Sequence, residues 1–189
     1  MSTGQLLINF LLFVFLPLWG IAGFADWLCH RATRIESTSG LKETLMHSVM
    51  GIQLGIPIIF CLMFEVNVLV LLICIAAWLL HEAIAHWDVA YASPLRKISI
   101  WEMHAHNYMA TLPFYMLVMI AVINWPTVID LVSFNWSGGM SLNPVKRAHG
   151  FDGYMLTYLS FMTVFCVFPY AEENLRCLLA HLKAKRQPS

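Results

Sequence analysis

Residues 67–108 read NVLVLLICIAAWLLHEAIAHWDVAYASPLRKISIWEMHAHNY. The apolar run over 67–87 is long enough to cross a bilayer as a helix, which takes roughly 20 residues. From position 81 onward the stretch holds four of the chain's eight histidines and three of its eleven carboxylates. Titratable side chains gathered at the edge of a membrane helix are costly there and mark a functional site.

The rest of the chain is of the same kind. Of its 189 residues, 59% are hydrophobic and 12% charged, and the mean hydropathy is +0.69. That is the composition of an integral membrane protein. A formal net charge of zero gives no electrostatic case for nucleic acid. The five cysteines, Cys29, Cys61, Cys74, Cys166 and Cys177, form no CxxC pair and lie in or beside apolar runs, which argues against a disulfide framework. The N-terminal MSTGQ lacks a basic n-region, so the first apolar run reads as a retained span.

Apolar runs at about 6–25, 45–64, 67–87, 105–124 and 153–171 predict a single all-α transmembrane domain over 1–189. The expected architecture is an up-down bundle of five helices, the first four forming a metal-binding four-helix bundle. Two helical hairpins, about 6–64 and 67–124, precede an interfacial loop over 125–152 and a fifth span with a basic tail over 153–189. Pro17, Pro57, Pro113 and Pro169 fall inside spans, where neighbouring helices take up the freed carbonyls. Nine basic residues fall on one side: Arg31, Arg34, Lys42, Arg96, Lys97, Arg176, Lys183, Lys185 and Arg186. Lys146 and Arg147 fall on the other. The positive-inside rule then predicts an outside N-terminus and a cytosolic C-terminus in a plasma (inner) membrane.

The titratable residues belong to a recurring pattern. Asp26, Glu43, Glu82 and Glu102 are each followed four positions later by a histidine, namely His30, His47, His86 and His106. Eleven carboxylates and eight histidines in 189 residues give about half such an occurrence by chance. One copy sits at the same end of each of the first four spans. Residues i and i+4 share a helix face, so each helix presents a carboxylate and an imidazole in one direction. Antiparallel neighbours then build two layers ~6 Å apart, from four residues at 1.5 Å rise. Asp26, His47, Glu82 and His106 form the deeper layer, and His30, Glu43, His86 and Glu102 the one nearer the cytosol. Two divalent cations would neutralise the four carboxylates, and neutrality matters beside hydrocarbon. Oxygen and imidazole donors without thiolate suit iron, manganese or zinc, and iron is favoured because oxygen chemistry fits a site near the lipid boundary, where acyl chains or quinones can enter.

Other polar residues are secondary candidates. His81 and Asp88, seven apart, share a different face of the third span from Glu82 and His86. His104 points away from the Glu102 face and reads as packing or as a group behind the ligands. Glu36 reads as solvated, Glu172 and Glu173 as caps at the cytosolic end of span five, and His149 as lying on the far side. His181, in ENLRCLLAHLKAKR, belongs to a basic amphipathic tail expected on anionic lipid.

In its use of carboxylates and histidines on several helices, the region 20–110 resembles the ferritin-like di-iron bundles, which use Glu and Glu-xx-His on four helices. The spacing here is xxx. HEAIAH at 81–86 also resembles the first histidine box of membrane desaturases and hydroxylases, although their paired-histidine boxes are absent. The resemblance implies a di-iron enzyme that activates O2 to oxidise a lipid-soluble substrate. The residues alone leave open a zinc hydrolase with a metal-bound water as nucleophile, and a non-enzymatic metal-binding or transport protein. The far halves of the spans hold no line of polar ligands, which counts against transport. A carboxylate beside each motif histidine counts against a haem bundle. The expected partners are the lipid bilayer and a lipid or quinone-like substrate, with an electron donor that the residues do not specify.

Overall fold

The computed structural model describes residues 1–137, 139–145 and 153–186. Among these there is no strand. Five helices are long and apolar enough to cross a membrane: α1 (Thr3–Thr33), α2 (Gly40–Met63), α3 (Val68–Ala92), α4 (Ile100–Ile123) and α6 (Tyr154–Arg186). By length and composition the chain is an integral membrane protein. A short helix, α5 (Trp125–Val132), lies between α4 and α6.

The helices outrun the apolar runs at their polar ends. α1 continues to Thr33, α3 to Ala92 and α6 to Arg186. Every motif residue is therefore helical, and the spacing of four keeps its one-turn meaning. The turns are set by local chemistry. Arg34 ends α1 in the left-handed region (φ 53°) and Gly40 opens α2 at φ +65°. Asn67 caps α3 by accepting from the Val70 N–H at 3.1 Å. Ser99 caps α4 by accepting from the Glu102 N–H at 3.1 Å, which fixes Glu102 in the first turn, where the helix dipole favours a carboxylate.

Each helix turns a stripe spaced three and four residues apart toward its neighbours. On α1 the stripe is Leu12, Leu16, Trp19, Gly23, Asp26 and His30, all buried. α2 packs on α3, α3 on α4 and α4 on α1, while α6 packs on both α1 and α2. The ring order is thus α1, α4, α3, α2, α6. The expected four-helix bundle with an outlying fifth span becomes a ring of five, with α6 standing between α1 and α2. The reason is the small-residue face of α1. A Cβ at Gly20 would lie 2.7 Å from Phe161 Cε1, so any other residue would have to push that ring aside. The Tyr170 hydroxyl donates to the Gly23 carbonyl at 3.1 Å, and the Tyr154 hydroxyl donates to the Leu12 carbonyl. α1 and α6 each contain a π-helical stretch, Leu11–Phe15 and Thr163–Val167, ending two residues before Pro17 and Pro169. The wider turn takes up the misfit of the proline ring.

The apolar core occupies the half of the bundle away from the motifs and includes Leu12, Leu16, Trp19, Leu54, Leu62, Leu112, Met116 and Tyr158. At that end the loop after α5 covers the α2–α3 turn. The Glu65 N–H donates to the Asn143 carbonyl at 2.8 Å, and the Val145 N–H donates to the Met63 carbonyl at 3.0 Å. Lys146, Arg147 and His149 lie outside the described residues. At the opposite end the basic tail continues α6 and packs on the turn Ile35–Ser37. Arg176 pairs with Glu36, and Cys177 and Ile35 are buried. Glu36 is therefore paired rather than solvated, and Cys177 anchors the start of the tail, whose residues from His181 to Arg186 are exposed.

Candidate metal centre

Six of the eight motif residues meet at one end of the bundle. Asp26, His30, Glu43 and Glu102 are completely buried, His47 is nearly so, and His106 is half-buried. Three groups hold donor atoms mutually within 4.8 Å: Asp26, His30, His47 and His106; His30, Glu43 and Glu102; and Glu43, His47 and Asp88. His30 sits in both the deeper and the shallower group, so the two expected layers share an imidazole rather than standing apart.

The third span departs from expectation. Glu82 is half-buried, His86 is exposed, and neither belongs to any of the three groups. His81 and Asp88 are buried in their place. They lie on the stripe Leu71, Cys74, Trp78, His81, Ala85, Asp88 and Ala92, which alternates steps of three and four. Burial of that stripe against α2 and α4 sets the rotation of α3, and the Glu82–His86 face, ~130° around the helix at 3.6 residues per turn, points elsewhere. His104 is exposed.

Two residues from outside the four motifs complete the cluster. Glu173 of α6, completely buried, faces both imidazoles of a stacked pair, His30 and His47, whose ring centroids are 4.7 Å apart. Its carboxylate accepts from His30 Nδ1 at 3.1 Å and stands 3.5 Å from His47 Nδ1. It thus faces two imidazoles inside the bundle rather than capping the helix. With both Nδ1 atoms turned to Glu173, the Nε2 atoms face the remaining carboxylates. His30 Nε2 lies 3.5 Å from Asp26 Oδ1 and 3.4 Å from Glu102 Oε1, and His47 Nε2 lies 3.1 Å from Asp88 Oδ2. His106 Nε2 is 2.9 Å from the same Asp26 oxygen. The Tyr170 hydroxyl shares its one proton between the Gly23 carbonyl and the other Asp26 oxygen, 3.2 Å away.

The second addition is Arg96, from the loop between α3 and α4. Its guanidinium spans Glu43 and Glu102, donating from Nε to Glu43 at 3.2 Å and from Nη1 to Glu102 at 2.9 Å. Burial works against its charge, but the Glu102 and Glu43 carboxylates outweigh burial and hold its pKa above the ordinary arginine value. Glu172, by contrast, is on the outside of α6, where it accepts from Trp27 Nε1 and Arg31.

Asp26 Oδ1, His30 Nε2, His47 Nδ1, Asp88 Oδ1 and Glu173 Oε1 are buried and make no hydrogen bond. All but Asp88 Oδ1 stand within 3.5 Å of a carboxylate or imidazole partner without the alignment of a hydrogen bond, and buried polar atoms so placed call for an explanation. Four of these five residues, Asp26, His30, His47 and Asp88, belong to the groups just described, together with Glu43, Glu102 and His106. Imidazole nitrogens held by a carboxylate on their far side, with carboxylate oxygens opposite, are how proteins orient histidine toward a cation. No protein-family model, curated protein or solved structure matches the chain.

Proposed function

We propose that this chain is a membrane-embedded di-metal oxidoreductase, with iron as the metal that suits it best, acting with O2 on a lipid-soluble substrate. The observation that carries the reading is the cluster of buried carboxylates and imidazoles converging from five helices, with donor atoms close enough together to share an ion. Asp26, His30, His106 and Glu102 would hold one ion, and Glu43, His47 and Asp88 the other. Glu173 would orient His30 and His47, and Arg96 would clamp Glu43 and Glu102. The charges agree with this. The five buried carboxylates Asp26, Glu43, Asp88, Glu102 and Glu173 carry −5, and Arg96 returns +1. The remaining −4 is balanced by two divalent cations with neutral imidazoles.

Donors of this type bind iron, manganese and zinc. Iron with O2 explains why the centre sits where hydrocarbon substrates dissolve. Inserting one oxygen atom into a C–H bond takes two electrons from the substrate and two from an external donor, and leaves water as the second product. The reading therefore includes a reductant. The nine basic residues on the side of the centre support a cytosolic location for it, within reach of soluble electron carriers.

Metal analysis and the optical spectrum of protein purified without added metal test the proposal. Two irons per chain with near-ultraviolet charge-transfer absorption are expected. Two zincs and no such absorption would replace the oxidoreductase by a hydrolase in which a zinc-bound water attacks. Metal content near zero would sink both.

A further inference from the structure

At the end of the bundle away from the carboxylates, two sulfurs face each other. Cys61 on α2 and Cys74 on α3 both carry thiols, and their Sγ atoms stand 3.5 Å apart. A disulfide brings its sulfurs to about 2 Å, and rotation about the Cα–Cβ bonds is the motion that closes such a gap. The other cysteines lie elsewhere. Cys29 stands between Asp26 and His30 on α1, the Cys166 thiol donates to the Gly20 carbonyl at 3.6 Å, and Cys177 is buried at the start of the tail. The sequence does not announce the pair, because positions 61 and 74 fall in two different apolar runs.

The pair is held in place by the backbone around it. α2 and α3 pack together, and the loop after α5 is hydrogen-bonded to both sides of their turn. The Val145 N–H donates to the Met63 carbonyl at 3.0 Å, and the Leu69 N–H donates to the Gly139 carbonyl at 2.9 Å. Both sulfurs are also near the surface of this end. Cys61 is two residues from the end of α2 and Cys74 six residues into α3, which are depths of ~3 and ~9 Å at 1.5 Å rise. Both line a cavity of about 390 Å³ whose wall includes Asn124 and the exposed Glu65. An oxidant in the aqueous phase therefore has a way in. Lys146 and Arg147 are the basic residues of this end, against nine at the other, so the positive-inside rule predicts that it lies outside the cytosol. Disulfides form and persist there.

We propose that Cys61 and Cys74 form a reversible disulfide that staples α2 to α3 at the outer end of the bundle. The oxidant is a disulfide-carrying partner in that compartment. Cys61, half-buried, is the attacking thiolate, and Cys74, 6% exposed, is the resolving one. Cys61 attacks the oxidant's disulfide and one of its sulfurs leaves as a thiol. Cys74 then displaces the other. Two protons and two electrons pass from the cysteines to the oxidant, which ends as two thiols. α2 carries Glu43 and His47 and α3 carries Asp88, so the staple also holds in register the helices that would serve the second ion. The disulfide itself does not rest on the di-metal reading.

The test counts thiols in the full chain, kept in its native membrane, treated with oxidised glutathione and then denatured in N-ethylmaleimide. Of the five cysteines, three are expected to take up maleimide before reduction and all five after it, read as intact mass. Cys61→Ser and, separately, Cys74→Ser should each take up four with or without reductant. Cys166→Ser should keep the difference of two. Five maleimides on the oxidised wild type would overturn the proposal. So would a reductant-sensitive pair that survives in Cys61→Ser, or one that links two chains. Metal-to-protein ratios from the same samples read the centre separately. The staple without metal defeats the di-metal reading alone, and two ions with five reactive thiols defeat the staple alone.

Discussion

Two faces of α3 offer the same chemistry and meet different fates. Glu82 and His86, four apart, repeat the pattern that α1, α2 and α4 use, yet they face away from the centre. His81 and Asp88, seven apart, match no repeated motif and are buried. The other three helices carry their motif on the same stripe that packs the bundle. On α3 the motif and the packing stripe are different faces, and packing wins. A charged motif contributes only where the helix has already been turned by its apolar neighbours, because burying a whole apolar stripe stabilises more than placing one carboxylate and one imidazole. Spacing says which residues can act together, and the stripe says which way they look.

Substitutions on the two faces break or sharpen this contrast. If the proposed di-metal centre forms, Asp88→Ala removes an anionic ligand from the second ion and should cost one of the two metal equivalents, whereas Glu82→Ala should retain both. Equal losses by elemental analysis would mean that α3 is rotated from the orientation described. Arg96→Met leaves Glu43 and Glu102 buried without their cation and should destabilise the metal-free protein by about 3–5 kcal/mol. Metal-loaded protein should suffer less, since the ions themselves compensate the carboxylates; thermal melts with and without metal measure the difference. Glu173→Gln keeps the shape but weakens the hold on His30 and His47, for an expected loss of roughly 10–100-fold in metal affinity. A titration showing no change would return Glu173 to the role of a structural cap. Smallest of all, His86→Ala and His104→Ala should alter stability by no more than about 0.5 kcal/mol and leave metal content untouched.

Much of the fold is legible in the sequence, for a physical reason. Hydrocarbon imposes a length and a composition on any helix that crosses it, so the runs around Leu69–Leu80 and Leu112–Val122 can be read directly. The motifs on α1, α2 and α4 are legible because a spacing of four has one geometric meaning on a helix. Glu173 is not, because chain order alone leaves α6 outside the first four spans. The glycines at positions 20 and 23, which admit α6 beside α1, are the available signal. Arg96 reads from the sequence as one more loop charge that orients the chain. Its position six residues before Glu102, on a short connection leading into the capped first turn of α4, is what brings it back over the carboxylates. Asp88 carries a signal too, since the three-and-four stripe from Leu71 to Ala92 passes through it.

The place of α6 between α1 and α2 bears on how the protein is made. The first two spans follow one another out of the ribosome but find their packing partners elsewhere, α1 on α4 and α6, α2 on α3 and α6. Four spans can enter the bilayer while the ring remains open and the carboxylates of α1 and α2 wait unsheltered. Only arrival of the fifth brings Glu173 between His30 and His47. On the di-metal proposal, assembly of the centre would be a late event of biogenesis, and a nascent chain halted before α6 would be expected in the membrane, helical and unable to retain metal.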